Sequence, residues 1–151
     1  MWAEWPEGLK SAFIKEPGLL DNSALVTFLR DMISQFPDAY QRKITIAAAD
    51  VESGEYHTFD ELNTPVENLY DAAVSSSSIQ MIFPPHYYNG HYYMDGGSVW
   101  GINVDSAIKK CLEVVDDASK ITLDILICGD AELPDYDTTS TTTFKNYQRG
   151  K

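Results

Sequence analysis

The sequence predicts an α/β protein, because helical and strand-like hydrophobic patterns alternate along a single chain. Apolar residues recur at helical spacing in residues 23–35 and 104–115, whereas residues 43–49 and 55–59 are short and rich in β-branched or alternating apolar residues. The resulting order is helix, strand, strand, helix, hairpin, helix and strand. At 151 residues, the chain has the length of one domain with a sizeable core.

The first predicted helix runs from Ser23 to Gln35. Asp21, Asn22 and Ser23 are three successive N-cap candidates, and Pro37 stops the helix. The apolar stripe that follows has the spacing of one helix face and consists of Leu25, Phe28, Leu29, Met32, Ile33 and Phe36. The preceding residues 1–20 contain prolines and glycines, which predict an irregular N-terminal segment.

Two strands are predicted next. The stretch from Lys43 to Ala49 contains β-branched residues followed by three alanines, which favours a strand packed closely on both faces. The residues from Asp50 to Gly54 form a turn, and those from Glu55 to Phe59 alternate as a second strand does. We expect the second strand to pair with the first or to lie near it.

The second predicted helix extends from Pro65 to about Ser77. Thr64 and Glu67 form a capping box around a proline at the first helical position, and the small apolar body predicts burial against the sheet. The helix ends in four serines, Ser75 to Ser78. A nucleophilic serine needs an activating base and a sharp exposed turn, so packing or capping is the favoured interpretation of these four.

A β-hairpin is the clearest local signal, because Asn89-Gly90 separates two aromatic tripeptides and suits a type I′ turn. We expect His86 and His91 to be cross-strand neighbours. With His57 they could form a metal or base site, but zinc needs further ligands that the sequence does not indicate. Surface or interface histidines are favoured, and we predict no metal site and no cofactor.

The last predicted elements are a helix from Asn103 to Val115 and a buried strand from Ile121 to Cys128. Beyond Pro134, residues 135–151 are rich in threonine and aspartate and predict a surface loop or tail. The predicted domain therefore covers residues 1–134.

The charge of the chain excludes several classes of partner. Eleven lysines and arginines oppose 23 aspartates and glutamates, giving a net charge of −12. Such a surface repels nucleic acid and gains nothing from anionic lipid. No stretch approaches the ~20 apolar residues of a membrane-spanning helix. The N-terminal residues do not resemble a signal peptide, so we expect a cytoplasmic or peripheral membrane location.

Asp95 is the candidate catalytic residue. It precedes Gly96 and Gly97 at the end of the predicted hairpin. A plain turn would explain this pattern. The alternative is a carboxylate at a strand end, where two glycines allow another backbone or a substrate to approach closely. Such an aspartate could take a proton from a serine or orient a base.

The stretch from Ala72 to Asn103 resembles the second signature block of the patatin-like phospholipase family. The matching text is Ala-Val-Ser-Ser-Ser-Ser-Ile-Gln-Met-Ile-Phe-Pro-Pro, an aromatic hairpin and then Tyr-Met-Asp-Gly-Gly. Upstream, the strand pair from Ile44 to Phe59 and the run Gly18-Leu-Leu-Asp21 also resemble the family. The resemblance extends from about Trp5 to Asp130.

This resemblance implies a partial three-layer α/β/α patatin-like fold and a lipid acyl hydrolase with a Ser–Asp dyad, in which Asp95 matches the aspartate. The family's serine lies in a Gly-x-Ser-x-Gly elbow preceded by a glycine-rich oxyanion loop, and this sequence contains neither. We therefore expect the chain to supply the aspartate half, to be inactive alone, and to need a partner or N-terminal half that covers its sheet edge. A catalytically dead remnant that serves as a structural or binding subunit is the alternative.

Overall fold

The computed structural model describes residues 17–36 and 40–126. The chain divides between Ile121 and Thr122 into two compact units, and each is described by itself. The first unit contains, in chain order, α1 (Ser23–Ser34), β1 (Thr45–Asp50), β2 (Tyr56–Asp60), α2 (Leu69–Ser77), β3 (His86–Tyr88), β4 (His91–Asp95) and α3 (Val104–Leu112). Short 3₁₀ turns cover Val66–Asn68, Gly96–Ser98 and Ala118–Lys120.

The four strands form one antiparallel sheet in the order β2-β1-β4-β3. Two local hairpins, β1–β2 and β3–β4, are joined by the pairing of β1 with β4. In the register, Ala48 lies opposite His57 on one side and Asp95 on the other. The sheet therefore places the end of β4 beside the middle of β1, where the side chains are small.

The core lies between the sheet and α2. Its buried cluster contains Ala48, Phe59, Ala72 and Tyr93, and the rings of Phe59 and Tyr93 meet edge to face with centroids 5.1 Å apart. The helix α1 packs on α2, while α3 contacts β1. These helices on a sheet confirm the α/β fold class and are consistent with a partial patatin-like domain.

The helix α1 follows its prediction closely, since it begins at Ser23 and ends at Ser34. It contributes no buried residue, and Phe28 is 62% exposed. The Arg30 guanidinium lies 4.7 Å from the centre of the Tyr70 ring, which joins α1 to α2. The amphipathic pattern therefore predicted the helix correctly, although its apolar stripe is only partly covered by the described residues.

A group of ion pairs fixes α3 against the end of β2. Lys110 Nζ lies 2.9 Å from Asp60 Oδ2 and 3.2 Å from Glu61 Oε1, and Lys43 pairs with Glu61 and Glu113. Hydrogen bonds from its own backbone N–H and from that of Ile44, together with these lysines, lower the pKa of Glu61 to about 2. The group ties the last helix of the unit to the sheet.

Two predicted helix ends differ from the structure. The capping box at Thr64 does not form: among the described residues no N–H donates to the Thr64 hydroxyl, which itself donates to Asn63 Oδ1 at 2.7 Å, and a 3₁₀ turn opens the helix. The last helix ends at Leu112 rather than Val115. Its beginning agrees with the prediction, since Asn103 Oδ1 accepts the Ser106 N–H at 3.2 Å.

The predicted strand from Ile121 to Cys128 is wrong for its described part. Residues 121–126 form neither helix nor strand. In the second unit, Leu126 is 90% exposed and Ile125 is 51% exposed, so the apolar run is not buried among the described residues. Cys128, the predicted tail at 135–151 and residues 1–16 of the N-terminal segment lie outside the described residues.

Candidate functional site

Asp95 is the last residue of β4, and three hydrogen bonds fix its position. Its N–H donates to the Ser78 carbonyl at 2.9 Å, and its own carbonyl accepts the Ser98 hydroxyl at 2.7 Å. Its carboxylate oxygen Oδ1 accepts the Gly97 N–H at 2.8 Å. No described residue donates a hydrogen bond to Oδ2, so one carboxylate oxygen is held and the other is free to accept a proton or a hydroxyl.

Close packing requires the first of the two glycines after Asp95, and the second lies close to the Asp95 carboxylate. A Cβ at Gly96 would lie 2.8 Å from the Ala47 carbonyl oxygen and 2.9 Å from its carbon. A Cβ at Gly97 would lie 3.1 Å from Asp95 Oδ1. Gly96 therefore lets the chain pass directly against the backbone of β1, and Gly97 leaves room for the carboxylate that its N–H binds.

The Asp95 carboxylate lies at a shallow hollow of about 300 Å³ whose wall includes Tyr56 and Trp100. The two aromatic rings are stacked obliquely, with centroids 4.8 Å apart and planes 39° apart. Burial and the charge of Asp95 raise the pKa of the Tyr56 hydroxyl. Since Trp100 is half exposed, the aromatic wall also faces solvent.

The chemistry of this hollow is that of a carboxylate in a largely uncharged surrounding. The described residues that line it include no histidine, cysteine, lysine or arginine. Their side-chain hydroxyls come from Thr45, Tyr56 and Ser76, and no hydrogen bond joins Ser76 to Asp95. The arrangement can accept a proton from an alcohol or orient one, but its described residues do not include an activated nucleophile.

Three of the four serines at the end of α2 serve packing or bond to carbonyl groups of the same helix, and the fourth, Ser76, lines the hollow at Asp95. Ser78 is buried and its hydroxyl donates to the Val74 carbonyl at 2.8 Å, while the Ser77 hydroxyl donates to Ala73 at 2.9 Å. Ser75 is fully buried, and its hydroxyl has no partner among the described residues. This agrees with the favoured interpretation from the sequence.

The prediction that His86 and His91 are cross-strand neighbours is wrong. Because Asn89 and Gly90 form a two-residue turn, Tyr88 lies opposite His91 and His86 lies opposite Tyr93. Each of the two histidines contacts a carboxylate on another element instead.

These contacts separate the histidines. His86 Nε2 lies 2.8 Å from Asp71 Oδ1 on α2, and His91 Nδ1 lies 2.8 Å from Asp50 Oδ2 at the end of β1. His57 packs among aromatic rings, where burial lowers its pKa. Across residues 17–36 and 40–126, no three His, Cys, Asp or Glu side chains are grouped so that they could hold a metal ion.

Sequence reasoning placed Asp95 at a strand end but did not find Tyr56 and Trp100 beside it. Tyr56 begins β2 and Trp100 follows the 3₁₀ turn after Gly97. The alternation of residue types in β2 indicates a strand. It does not indicate which other strand ends beside Tyr56. The aromatic wall becomes visible only when the register of the β1–β2 and β1–β4 pairs is known.

The comparisons with known proteins give one match. A family model described as patatin-like phospholipase matches residues 2–108, a range that includes Asp95. No curated protein and no solved structure shows significant similarity to the chain. In the described part of the chain, no helix combines the length and the apolar character needed to cross a membrane.

Proposed function

Since this chain belongs to the patatin-like phospholipase family, whose members are lipid acyl hydrolases, we propose that it supplies the aspartate of a Ser–Asp dyad for the hydrolysis of lipid acyl esters. The observation that carries the proposal is the state of Asp95. Its Oδ1 is held by the Gly97 N–H, while no described residue donates to its Oδ2 at the hollow.

The geometry of Asp95 suits a general base. A serine hydroxyl that donates to Oδ2 would be aligned by a carboxylate whose rotation is already restricted, and the serine proton would pass to that oxygen as the hydroxyl attacks the ester carbonyl. The protonated carboxyl would then give this proton to the oxygen of the leaving alcohol as the ester C–O bond breaks, which leaves an acyl-serine and restores the carboxylate. When water attacks the acyl-serine, the carboxylate would accept a proton from the water and pass it to the serine oxygen as the bond between the serine and the acyl group breaks. Asp95 is thus proposed as the catalytic base.

The serine is proposed to come from a polypeptide segment outside this sequence, which has no Gly-x-Ser-x-Gly motif. A carboxylate alone does not replace the missing parts, because loss of one oxyanion-hole donor costs about 10²–10³ in rate and loss of the nucleophile costs more. The outer strands of the described sheet are β2 and β3. We propose that the serine-bearing half covers one of these edges, since an open edge accepts another strand.

Complementation tests the proposal. The full chain is assayed for hydrolysis of a p-nitrophenyl acyl ester, alone and mixed with a separately expressed N-terminal half of a patatin-like domain that carries Gly-x-Ser-x-Gly. We expect no hydrolysis by the chain alone and clear hydrolysis by the mixture. Asp95→Asn should lower the rate of the mixture by about 10³-fold or more, because the amide cannot accept the serine proton.

The matched control is Asp31→Asn, which makes the same chemical change at an exposed position on α1. It should leave the rate of the mixture unchanged. A mixture that forms a complex but stays inactive with Asp95 intact would contradict the proposal. Full activity of the Asp95→Asn mixture would show that another group is the base.

A further inference from the structure

The outer strand β2 has backbone groups that face away from the sheet. The Asp50 N–H donates to the Glu55 carbonyl at 2.9 Å, which makes these two residues a hydrogen-bonded pair of the β1–β2 hairpin. Since bonded and non-bonded pairs alternate along antiparallel strands, His57 and Phe59 also bond to β1. The residues whose N–H and carbonyl groups point outward are therefore Tyr56, Thr58 and Asp60.

The side chain of Asn63 binds two of these outward groups. Its Nδ2 donates to the Thr58 carbonyl at 2.9 Å, and its Oδ1 accepts the Asp60 N–H at 2.8 Å. The Asp60 carbonyl is also occupied, because it accepts the Thr64 N–H at 2.9 Å. A strand added at this edge would bind the same three backbone groups. Asn63 and Thr64 therefore occupy the carboxyl-terminal part of the edge that such a strand would need.

Thr64 holds the Asn63 amide in the orientation that these bonds require. The Thr64 hydroxyl donates to Asn63 Oδ1 at 2.7 Å, and Thr64 is only 2% exposed. Its carbonyl accepts the Tyr40 hydroxyl at 2.8 Å, which anchors this residue. Because Asn63 Oδ1 accepts two donors, the amide nitrogen is turned towards the Thr58 carbonyl. The threonine that the sequence placed in a capping box thus orients the asparagine before it.

The groups that remain open belong to the first part of β2. No described residue accepts a hydrogen bond from the N–H of Tyr56 or Thr58, and none donates to the Tyr56 carbonyl. An edge with such groups can pair with another strand. The strand is suited to pairing with its own copy, because a two-fold axis at Thr58 would place Tyr56 opposite Asp60, so that no like charges meet. Asn63 lies where that second strand would bind.

We propose that Asn63, oriented by Thr64, blocks the β2 edge against pairing with β2 of a second copy of this chain. When the block is removed, two antiparallel β2 strands join the sheets of two copies into one continuous sheet. The inference restricts the proposed serine-bearing half to the β3 edge and does not depend on that half.

Asn63→Ala in the full chain tests the block, because it removes both side-chain bonds. Light scattering after size-exclusion chromatography should give twice the mass of the unmodified chain, and the dimer fraction should rise with concentration. In hydrogen exchange measured by NMR, the Thr58 N–H should exchange at least about 10-fold more slowly in the variant, since the second copy binds it. Asn63→Asp keeps the bond from the Asp60 N–H but cannot donate to the Thr58 carbonyl, so we expect a weaker dimer.

Asn22→Ala is the matched control, since the Asn22 side chain does not cap α1. It should keep the mass of the unmodified chain. Thr58→Lys, added to Asn63→Ala, should restore that mass, because two lysines would face each other at the axis.

Circular dichroism establishes whether each variant is folded. A folded Asn63→Ala chain with unchanged mass and unchanged exchange at Thr58 would overturn the inference, and if that chain does not fold, Asn63→Asp decides in the same way. A dimer that also forms in Asn22→Ala, or that Thr58→Lys does not dissociate, would overturn it as well.

Discussion

Three strands of the sheet end in an aspartate, and the aspartates at the ends of β1 and β4 have different surroundings. Asp50, at the end of β1, has both carboxylate oxygens occupied: Oδ1 accepts the N–H groups of Glu52 and Ser53, and Oδ2 contacts His91. Asp95, at the end of β4, lines a hollow; one of its carboxylate oxygens is bound by Gly97, and the other accepts no hydrogen bond from a described residue. After Asp50 the chain turns back, and its N–H groups donate hydrogen bonds to the Asp50 carboxylate. After Asp95 the chain instead passes along the backbone of β1 at Gly96.

The largest expected effect comes from replacing each of the two aspartates in turn, because one substitution should affect the hydrolysis rate and the other should affect stability. Asp95→Asn should abolish ester hydrolysis by the complemented enzyme, a loss of about 10³-fold or more, and should change the urea midpoint little. Asp50→Asn should lower the urea midpoint, because the turn after β1 loses a charged acceptor, and should leave the hydrolysis rate nearly unchanged. If both substitutions reduced rate and stability to the same degree, the contrast between the two sites would be wrong.

The next effect concerns the glycine that brings the end of β4 against β1. Gly96→Ala should lower the free energy of unfolding by about 2 kcal/mol, because its Cβ would press on the Ala47 backbone rather than on a flexible side chain. Gly101→Ala is the control, since its Cβ would enter open space, and we expect a change within about 0.5 kcal/mol. Urea unfolding followed by circular dichroism measures both. Equal stability of the two variants would contradict the close approach.

A smaller effect is expected at the two hairpin turns, one of which follows Asp50 and the other of which precedes Asp95. Gly54 and Gly90 have φ values of +72° and +91°, and a Cβ at either position would meet no other atom within 4 Å. Each alanine substitution should therefore cost only the backbone strain of a positive φ, about 1 kcal/mol. The same urea measurement tests this. A much larger cost at Gly90 than at Gly54 would indicate that the β3–β4 turn makes contacts beyond its own backbone.

The smallest effect is the acid dependence of stability that Asp50 contributes. Hydrogen bonds from the backbone N–H groups of Ser53 and Glu52 lower its pKa. The contribution of Asp50 to the free energy of unfolding is therefore complete above the ordinary carboxyl pKa of about 4. It is lost as the pH falls through the lowered pKa that Asp50 has in the folded chain. Glu61, with its pKa of about 2, acts in the same range.

We expect the urea midpoint of the chain to fall between about pH 5 and pH 2, and Asp50→Asn to flatten part of that decline. Asp31→Asn, at an exposed site, should leave the profile unchanged. A steeper decline in the Asp50→Asn chain than in the unmodified chain would mean that the sign of the Asp50 contribution is wrong.

The sequence predicted the elements that depend on local patterns. The apolar spacing after Ser23 and the Asn89-Gly90 turn both correspond to observed structure, and Asp95 lies at a strand end as expected. The failures concern contacts that a local pattern does not reveal. The capping box at Thr64 does not form and a 3₁₀ turn precedes α2 instead, and the apolar run after Ile121 has no strand partner among the described residues.

The surroundings of Asp95 could not be predicted in the same way. The wall formed by Tyr56 and Trp100 depends on the pairing of β1 with both β2 and β4, which no periodicity within one segment encodes. The resemblance to the patatin-like family pointed to Asp95 itself. It carried no information about the charge or shape of the hollow, since these follow from side chains contributed by separate strands and loops.

The strand order also has a consequence for the kinetics of folding. Each hairpin closes through a tight turn, whereas β1 and β4 join residues more than forty positions apart. A hairpin forms in about 1–10 μs. The pairing of β1 with β4 closes a longer loop, so the chain loses more conformational entropy before the contacts between these strands can compensate for it. We therefore expect the docking of one hairpin on the other to limit the folding rate, and Asp95 to reach its place beside β1 only in that final step.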